Sequence, residues 1–364
     1  MSTAGPEPKP SVSAIVINFN GGERTIRTLH ALSRQTRPPD RVVVVDNGSS
    51  DGSPGRILEM FPGTDVIRLG ENVGLPAARN VGLEAVASDR VLLIDSDIYL
   101  EPDCLEILER TRAETDAAVI CPRIRLIPER DVVQADGASA HFIGTMALRH
   151  ANADVARAPT ERARVAGCIG ACYLLDRETV LAEGGFDDAY FFYFEDLEFM
   201  LRLGGRGHTF VCEPEALVYH ERGTGTPGLS FRGKGRYPRR RAYLSMRNRW
   251  LTILLHYDAR TILLLTPALL VYELVTVAWA VGHGWGREWF RSWFWLVRNG
   301  RETLDRRRKA RSRKVRGDRS LLSGGPLPLA SGVAERGPAR AVATTLSWTL
   351  DAYWRAVRSL LDGR

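Results

Sequence analysis

Five short apolar runs, each closed by polar or turn-forming residues, dictate what the first half of this chain can become. They are "SVSAIVINFN" from Ser11, "RVVVVDN" from Arg41, "DVIRLG" from Asp65, "RVLLIDSD" from Arg90 and "AAVICPRI" from Ala117. Val- and Ile-rich stretches of this length suit strands buried on both faces. Helix-compatible segments alternate with them, at 21–35 and at about 74–87. Such alternation predicts an α/β domain: a mostly parallel sheet flanked by helices. Ligands of these sheets bind beyond the carboxyl ends of the strands, where Asn18, Asn20, Asp46, Asp95 and Asp97 stand.

The fourth run ends in "DSD". Side chains alternate along a strand, so Asp95 and Asp97 are expected on one side. Two adjacent carboxylates repel and call for a cation, and hard oxygen ligands suit Mg²⁺ or Mn²⁺. The plainer alternative is a polar strand-to-helix loop. Asp46 can accept an imino N–H from a nucleotide base, or it can shape a turn. Arg79 lies in "GENVGLPAARN", a loop opening a helix, and is available for phosphate. The first strand turn reads "NFNGGERT", which is not a dinucleotide fingerprint, and the chain has no Walker lysine motif. That speaks against an oxidoreductase and a P-loop enzyme. In "GGFDDAYFFYFEDLEF" (Gly184–Phe199), aromatic residues surround Glu195 and Asp196. A carboxylate in a partly dry setting gains basicity and suits a general base, although two acids also fit a helix first turn. His220 closes "VYHERG" at an expected strand end. It is either structural or the imidazole that completes a site begun by two aspartates.

The composition is globular, with 44% hydrophobic and 26% charged residues among 364. Net charge is +7 and unevenly placed: Arg306–Arg319 holds nine basic residues and one acidic. Arg232–Arg241 forms a second basic cluster, and such runs favour anionic partners. The five cysteines are scattered, so Cys168 and Cys172 read as core residues. The N-terminus lacks the apolar centre of a signal peptide, so the catalytic half is expected to face the cytoplasm.

Four regions are expected: a disordered 1–10, a catalytic domain at 11–250, a helical, basic, Trp-rich membrane-associated region at 251–320, and at 321–364 a Gly/Pro linker with an amphipathic helix. That last helix would bury Leu346, Leu350, Tyr353, Trp354, Val357 and Leu361. Thr261–Gly282 is nearly all apolar and long enough to span a bilayer, but Pro267 and Glu273 interrupt it. With Trp279, Trp285, Trp289, Trp293 and Trp295 close by, the expectation is helices on or in the cytoplasmic leaflet of an anionic membrane.

Taken together, "VINFNGG", "VVVVDNGSSDGS", "ENVGLPAARNVGL", "LLIDSD", "GACYLLDRE", "GGFDDAYFFYFEDLEF" and "VYHERG" resemble the family 2 glycosyltransferases of the GT-A fold, in the branch with bacterial rhamnosyltransferases. The resemblance covers about Val12 to Arg249. It implies a metal-dependent, inverting transfer from a nucleoside-diphosphate sugar to a cell-surface glycan or polyprenyl-linked acceptor. Deoxythymidine-diphosphate rhamnose is the first candidate donor, with UDP- and GDP-sugars as alternatives. Asp46 would hold the base, with Asn18 and Asn20 lining the pocket. Asp95 and Asp97 would bind the diphosphate through Mg²⁺ or Mn²⁺, with His220 as an additional ligand. Asp196 would be the general base. Arg79, Arg247 and Asn248 would touch the donor. Gly170, Ala171, Cys172, Asp187, Asp188 and Glu195 would shape the site around donor and acceptor.

Two rivals are weighed. A nucleotidyltransferase acting on sugar phosphates would need a glycine- and lysine-rich N-terminal loop. A nucleic-acid binder would need a recognition helix or stacking platform beside its arginines. Nucleic acid is therefore not an expected partner.

Overall fold

β1 (Val12–Asn18), α1 (Glu23–Ser33), β2 (Arg41–Asp46), α2 (Ser53–Met60), β3 (Asp65–Arg68), α3 (Leu75–Glu84) and β4 (Arg90–Asp95) alternate as the apolar runs predict. The computed structural model describes residues 9–221, 238–328 and 338–361. Most of the expected disordered stretch 1–10, most of the basic cluster 232–241 and part of the Gly/Pro linker lie outside the described residues. β1 is buried along its whole length and runs parallel to β2 on one side and β4 on the other. Its alternate residues feed two cores: Ile15 and Ile17 face one, Ala14 and Val16 the other. α2 starts inside "GSSDGSPG", which reads as turns alone; Pro54 in its first turn is compatible with a helix start there.

A turn at Ser96–Asp97 leads to β5 (Ile98–Leu100), α4 (Cys104–Glu114), β6 (Val119–Ile127), β7 (Val133–Ala135), β8 (Ala138–His141), β9 (Thr145–Leu148) and β10 (Ala163–Val165). β11 (Cys172–Asp176) then inserts antiparallel between β4 and β6. After α5 (Arg177–Ala182) and α6 (Glu195–Gly205), the two extended segments expected at "HTFVC" and "ALVYH" form one strand, β12 (Phe210–Glu221). A register shift between Glu213 and Leu217 interrupts its pairing with β6. The large sheet runs β10-β12-β6-β11-β4-β1-β2-β3.

The remaining elements are α7 (Arg239–His256), α8 (Ala259–Gly282), α9 (Gly286–Arg298), α10 (Gly300–Ser312), α11 (Asp318–Leu321), β13 (Leu322–Ser323) and α12 (Pro338–Val357). α12 packs as its periodicity predicts. Leu350 and Trp354 are buried, Leu346, Tyr353, Val357 and Leu361 pack against the same core, and Trp354 stacks on Phe142 at 5.0 Å. The basic run 306–319 departs from expectation, because much of it serves the protein itself. Arg306 pairs with Asp187. Arg311 and Lys314 pair with Asp258, and Arg313 with Glu183. Arg307 and Arg316 donate to the carbonyls of Leu254 and Gly207. These cations fasten α10 and the segment after it to the rest of the chain.

Candidate functional site

At the carboxyl ends of β1 and β4 lies a cavity of about 140 Å³, lined by Ile17, Phe19, Asn47, Asn72, Leu75, Asp95, Ser96, Asp97, Phe191 and Phe192. Asp95 ends β4, but Asp97 falls in the following turn. The turn, rather than strand alternation, brings both carboxylates to the cavity. Glu221 N–H donates to the Asp97 carbonyl at 2.9 Å, and the β5–β12 ladder sets His220 opposite Ile98. His220 Nε2 thereby stands 3.5 Å from Asp97 Oδ1. Gln134 Oε1 lies 2.8 Å from His220 Nδ1. An amide oxygen only accepts, so Nδ1 carries a proton, and Nε2 is the ring nitrogen turned towards Asp97.

Burial pushes Asp95 up to about 6; the Arg79 guanidinium opposes the shift and the neighbouring Asp97 charge adds to it. Burial would also raise Asp97, but the adjacent His220 imidazole holds it below the usual range. Among the described residues, no three His, Cys, Asp or Glu side chains enclose a metal by themselves. Two carboxylates and one oriented imidazole nitrogen on an open cavity nevertheless fit a hard cation that keeps water or ligand oxygens in its shell.

Asp46 and Asn18 sit beneath the loops at this end of the sheet, both buried. Asn18 Nδ2 donates to Asp46 Oδ1 (2.8 Å) and Ser53 Oγ (2.9 Å), while its oxygen accepts from Thr25 Oγ1 (2.7 Å). Its amide is thus committed to fixing Asp46 and the two loops. Asn20 links the same loops, with Ser50 N–H donating to its side chain at 2.8 Å.

Arg79 is fully buried below the cavity and donates to Gly170 O (2.6 Å) and Asp95 Oδ1 (3.1 Å). A Cβ at Gly170 would lie 2.7 Å from its Nη1, so only glycine lets the chain pass so close. Burial weakens its hold on the proton, but Tyr173, Asp95, Glu195 and Asp196 more than offset that, and Arg79 stays charged. Glu195 and Asp196 open α6 beside it. Gly170 N–H approaches Asp196 Oδ2 at 3.4 Å and Leu197 N–H donates to Oδ1 at 2.8 Å. Burial pushes both acids up, and the Asp196 charge helps take Glu195 to about 8.

Phe191 and Phe192 belong to a loop in which Phe191, Tyr193 and Phe194 all have positive φ. Bulky residues seldom hold that conformation unsupported. Asn248 supports it, its Nδ2 lying 2.9, 3.0 and 2.7 Å from the carbonyls of Tyr190, Phe192 and Tyr193. Arg247 donates to Ala189 O at 2.6 Å. Both residues, expected at the donor, brace the loop from behind. Asp187 and Asp188 line a different cavity, with Arg306 and Lys309. Asp188 accepts from Asn80, and Asp187 pairs with Arg306. Asn47, Asn72, Gln134, Phe191 and Phe192 also belong to this site, beyond the residues expected there. Asn47 stood in plain view after Asp46, whereas Gln134 lies 86 residues from His220 and carries no local signal.

Residues 13–179 match the family model described as Glycosyl transferase family 2. An N-acetylglucosaminyl-diphospho-decaprenol L-rhamnosyltransferase of Mycobacterium tuberculosis is 27% identical over 240 residues, 58% of this chain and 76% of that protein. The succinoglycan biosynthesis protein ExoO of Rhizobium meliloti is 29% identical over 140 residues, 38% of each chain. The solved structure of GalNAc-T7 with UDP, GalNAc and Mn²⁺ shares the fold, with a TM-score of 0.56 at 15% identity over 70% of this chain. The chain spans about half of that structure, 49% of its length.

Proposed function

The chain belongs to the family 2 glycosyltransferases, and from that membership we propose that it is an inverting, divalent-cation-dependent enzyme. It moves a sugar from a nucleoside-diphosphate donor to a hydroxyl of a cell-surface glycan or lipid-linked acceptor. The observation that carries this reading is one cavity at the strand ends into which Asp95, Asp97, Phe191 and Phe192 all face. Membership sets aside the nucleotidyltransferase alternative.

Asp46, fixed by Asn18, would accept the imino N–H of the base. Asp97, His220 and Asp95 would hold Mg²⁺ or Mn²⁺, which as a Lewis acid offsets the charge of the departing diphosphate. Arg79 holds Asp95 and Gly170 in place from below. Burial raises both acids opening α6, a setting that suits a general base, and Asp196 is the one assigned that role. Asp196 takes the proton of the acceptor hydroxyl as that oxygen attacks the anomeric carbon. Such a step contributes about 10²–10⁴-fold, and direct displacement inverts the configuration.

The name of the mycobacterial relative supports a rhamnosyl donor and a polyprenyl-diphosphate acceptor. Such an acceptor would put the enzyme at the cytoplasmic face of the plasma membrane, with the anionic lipid surface as a partner. The test is nucleoside-diphosphate release by purified protein with Mn²⁺, a polyprenyl-diphosphate sugar and a panel of dTDP-, UDP- and GDP-sugars. One donor should stand out, with dTDP-rhamnose foremost. No release from any donor refutes the proposal.

A further inference from the structure

α8 has the length and hydropathy of a membrane span, a 24-residue helix of mean hydropathy 1.9 over its best window. Glu273 is the sole charged residue in Thr261–Gly282, and it is buried. Its carboxylate is fully engaged: Arg249 Nη1 and Trp250 Nε1 donate to Oε2 at 2.9 and 2.8 Å. Trp289 and Trp293 Nε1 donate to Oε1 at 2.7 and 3.2 Å. One acid therefore ties α8 to α7 and α9. Threading α8 through a bilayer would tear this carboxylate from four donors and leave it in hydrocarbon, or drag Arg249 in with it.

The other face of α8 is apolar and uncovered. Leu263, Leu270, Leu274 and Val281, spaced i, i+7, i+11 and i+18, fall on one line of the helix, with Pro267 and Ala278 between them. All six are exposed, Leu263 at 73% and Leu274 at 69%. On α9, Phe290, Phe294 and Val297 are exposed at i, i+4 and i+7. Arg287, Arg291 and Arg298 are exposed on the same helix, while its one acid, Glu288, is buried. A protein partner would be met by polar rim groups of both signs. Apolar stripes with exposed arginines on α9 and no exposed acid on either helix match the boundary between acyl chains and anionic headgroups, where arginine stems lie along the apolar surface and their heads stay wet.

We propose that α8 and α9 lie in the plane of an anionic bilayer, α8 sunk along its Leu263–Val281 stripe and crossing nothing, with the Glu273 cluster as the pin that keeps it folded back. The catalytic reading supplies the purpose of this seat, access to a lipid-linked acceptor, but not its geometry. The same α7 that supplies Arg249 and Trp250 carries Asn248, which holds the Phe191–Phe192 loop. The seat and the cavity are therefore built on one helix.

The test is flotation of the full-length protein with phosphatidylcholine vesicles with and without phosphatidylglycerol. Binding is expected only with the anionic lipid, falling about fivefold for each of Arg287→Gln, Arg291→Gln and Arg298→Gln. L270E/L274E, both at exposed positions, should lower binding at least about tenfold while leaving the thermal melt unchanged. The variants Arg260→Cys and Gly282→Cys, at the two ends of α8 and each adding one exposed thiol to five buried ones, should both react with an impermeant maleimide added outside sealed vesicles. Protection of one end, or unaltered binding by L270E/L274E, overturns the proposal. Nucleoside-diphosphate release measured without vesicles reports on the catalytic reading separately, so either can fail alone.

Discussion

Replacing Gln134 with leucine tests whether His220 is a metal ligand that the fold has oriented in advance. The bond at stake is His220 Nδ1–H to Gln134 Oε1, at 2.8 Å. A neutral hydrogen bond of normal length contributes about 0.5–1.5 kcal/mol net. Groups that orient a ligating histidine typically change metal affinity about 10–100-fold, or roughly 1.4–2.8 kcal/mol. The two ranges meet near 1.4 kcal/mol. The low end is the better expectation here, because Asp97 and His220 keep 21% and 17% of their side chains exposed and water can partly replace the amide. Gln134→Leu should therefore weaken Mn²⁺ binding about tenfold, read by calorimetry or by the paramagnetic signal of free Mn²⁺ in the presence of nucleoside diphosphate. Nucleotide affinity measured without metal should not move. Gln134→Glu keeps an acceptor and should restore most of the loss. If His220→Ala weakens Mn²⁺ binding while Gln134→Leu stays within about twofold of wild type, orientation by Gln134 is refuted. If neither weakens it, His220 is not a ligand.

Asp97→Ala should abolish transfer and metal-dependent nucleotide binding. It is a cleaner probe than Asp95→Ala, which also strands the buried Arg79 charge; full activity of Asp97→Ala in EDTA would end the metal assignment. Asp196→Asn should bind nucleotide normally while turnover drops at least about 10²-fold; an active Asp196→Asn beside a dead Glu195→Gln would move the base to Glu195. Glu198 offers a stability test. Burial alone would raise it, but Arg202 and His256 hold it at about 2, below its ordinary 4.5. A depressed acid stabilises the fold above its unfolded pKa, and that stabilisation fades as pH falls from about 4.5 towards 2. At 1.36 kcal/mol per pKa unit the effect is on the order of 3 kcal/mol at pH 7. Urea unfolding of Glu198→Gln should show a loss of that order at pH 7 and a smaller one at pH 4, and equal losses at both would contradict the ion-pair account.

What the sequence could disclose follows the range of the forces involved. β1, β2 and β4 were legible because a strand buried on both faces must be largely apolar along its length. Asp95 and Asp97 were legible as the polar ends of such a run, although a turn rather than strand alternation aligns them. Gln134, Asn248 and Arg79 had roles the sequence could not state, since each acts on a group brought near only by the sheet or by α7. Glu273 shows the limit most clearly. Along the chain it is a flaw in an apolar run, and it lowers the case for a span only by its own insertion cost. In three dimensions Trp250, 23 residues before it, and Trp289 and Trp293, 16 and 20 residues after it, turn their indole N–H groups onto that carboxylate. Two of the tryptophans that suggested an interfacial belt, Trp289 and Trp293, are thus turned inward beside Trp250. Trp250, Trp289 and Trp293 secure the acid, and the outward surface of α9 is left to Phe290, Phe294 and Val297 with arginines beside them. Hydropathy alone cannot separate a span from a seat. The hydrogen-bond partners of one buried acid can, because a helix bound to its neighbours through a charge has given up the freedom to leave them for the bilayer.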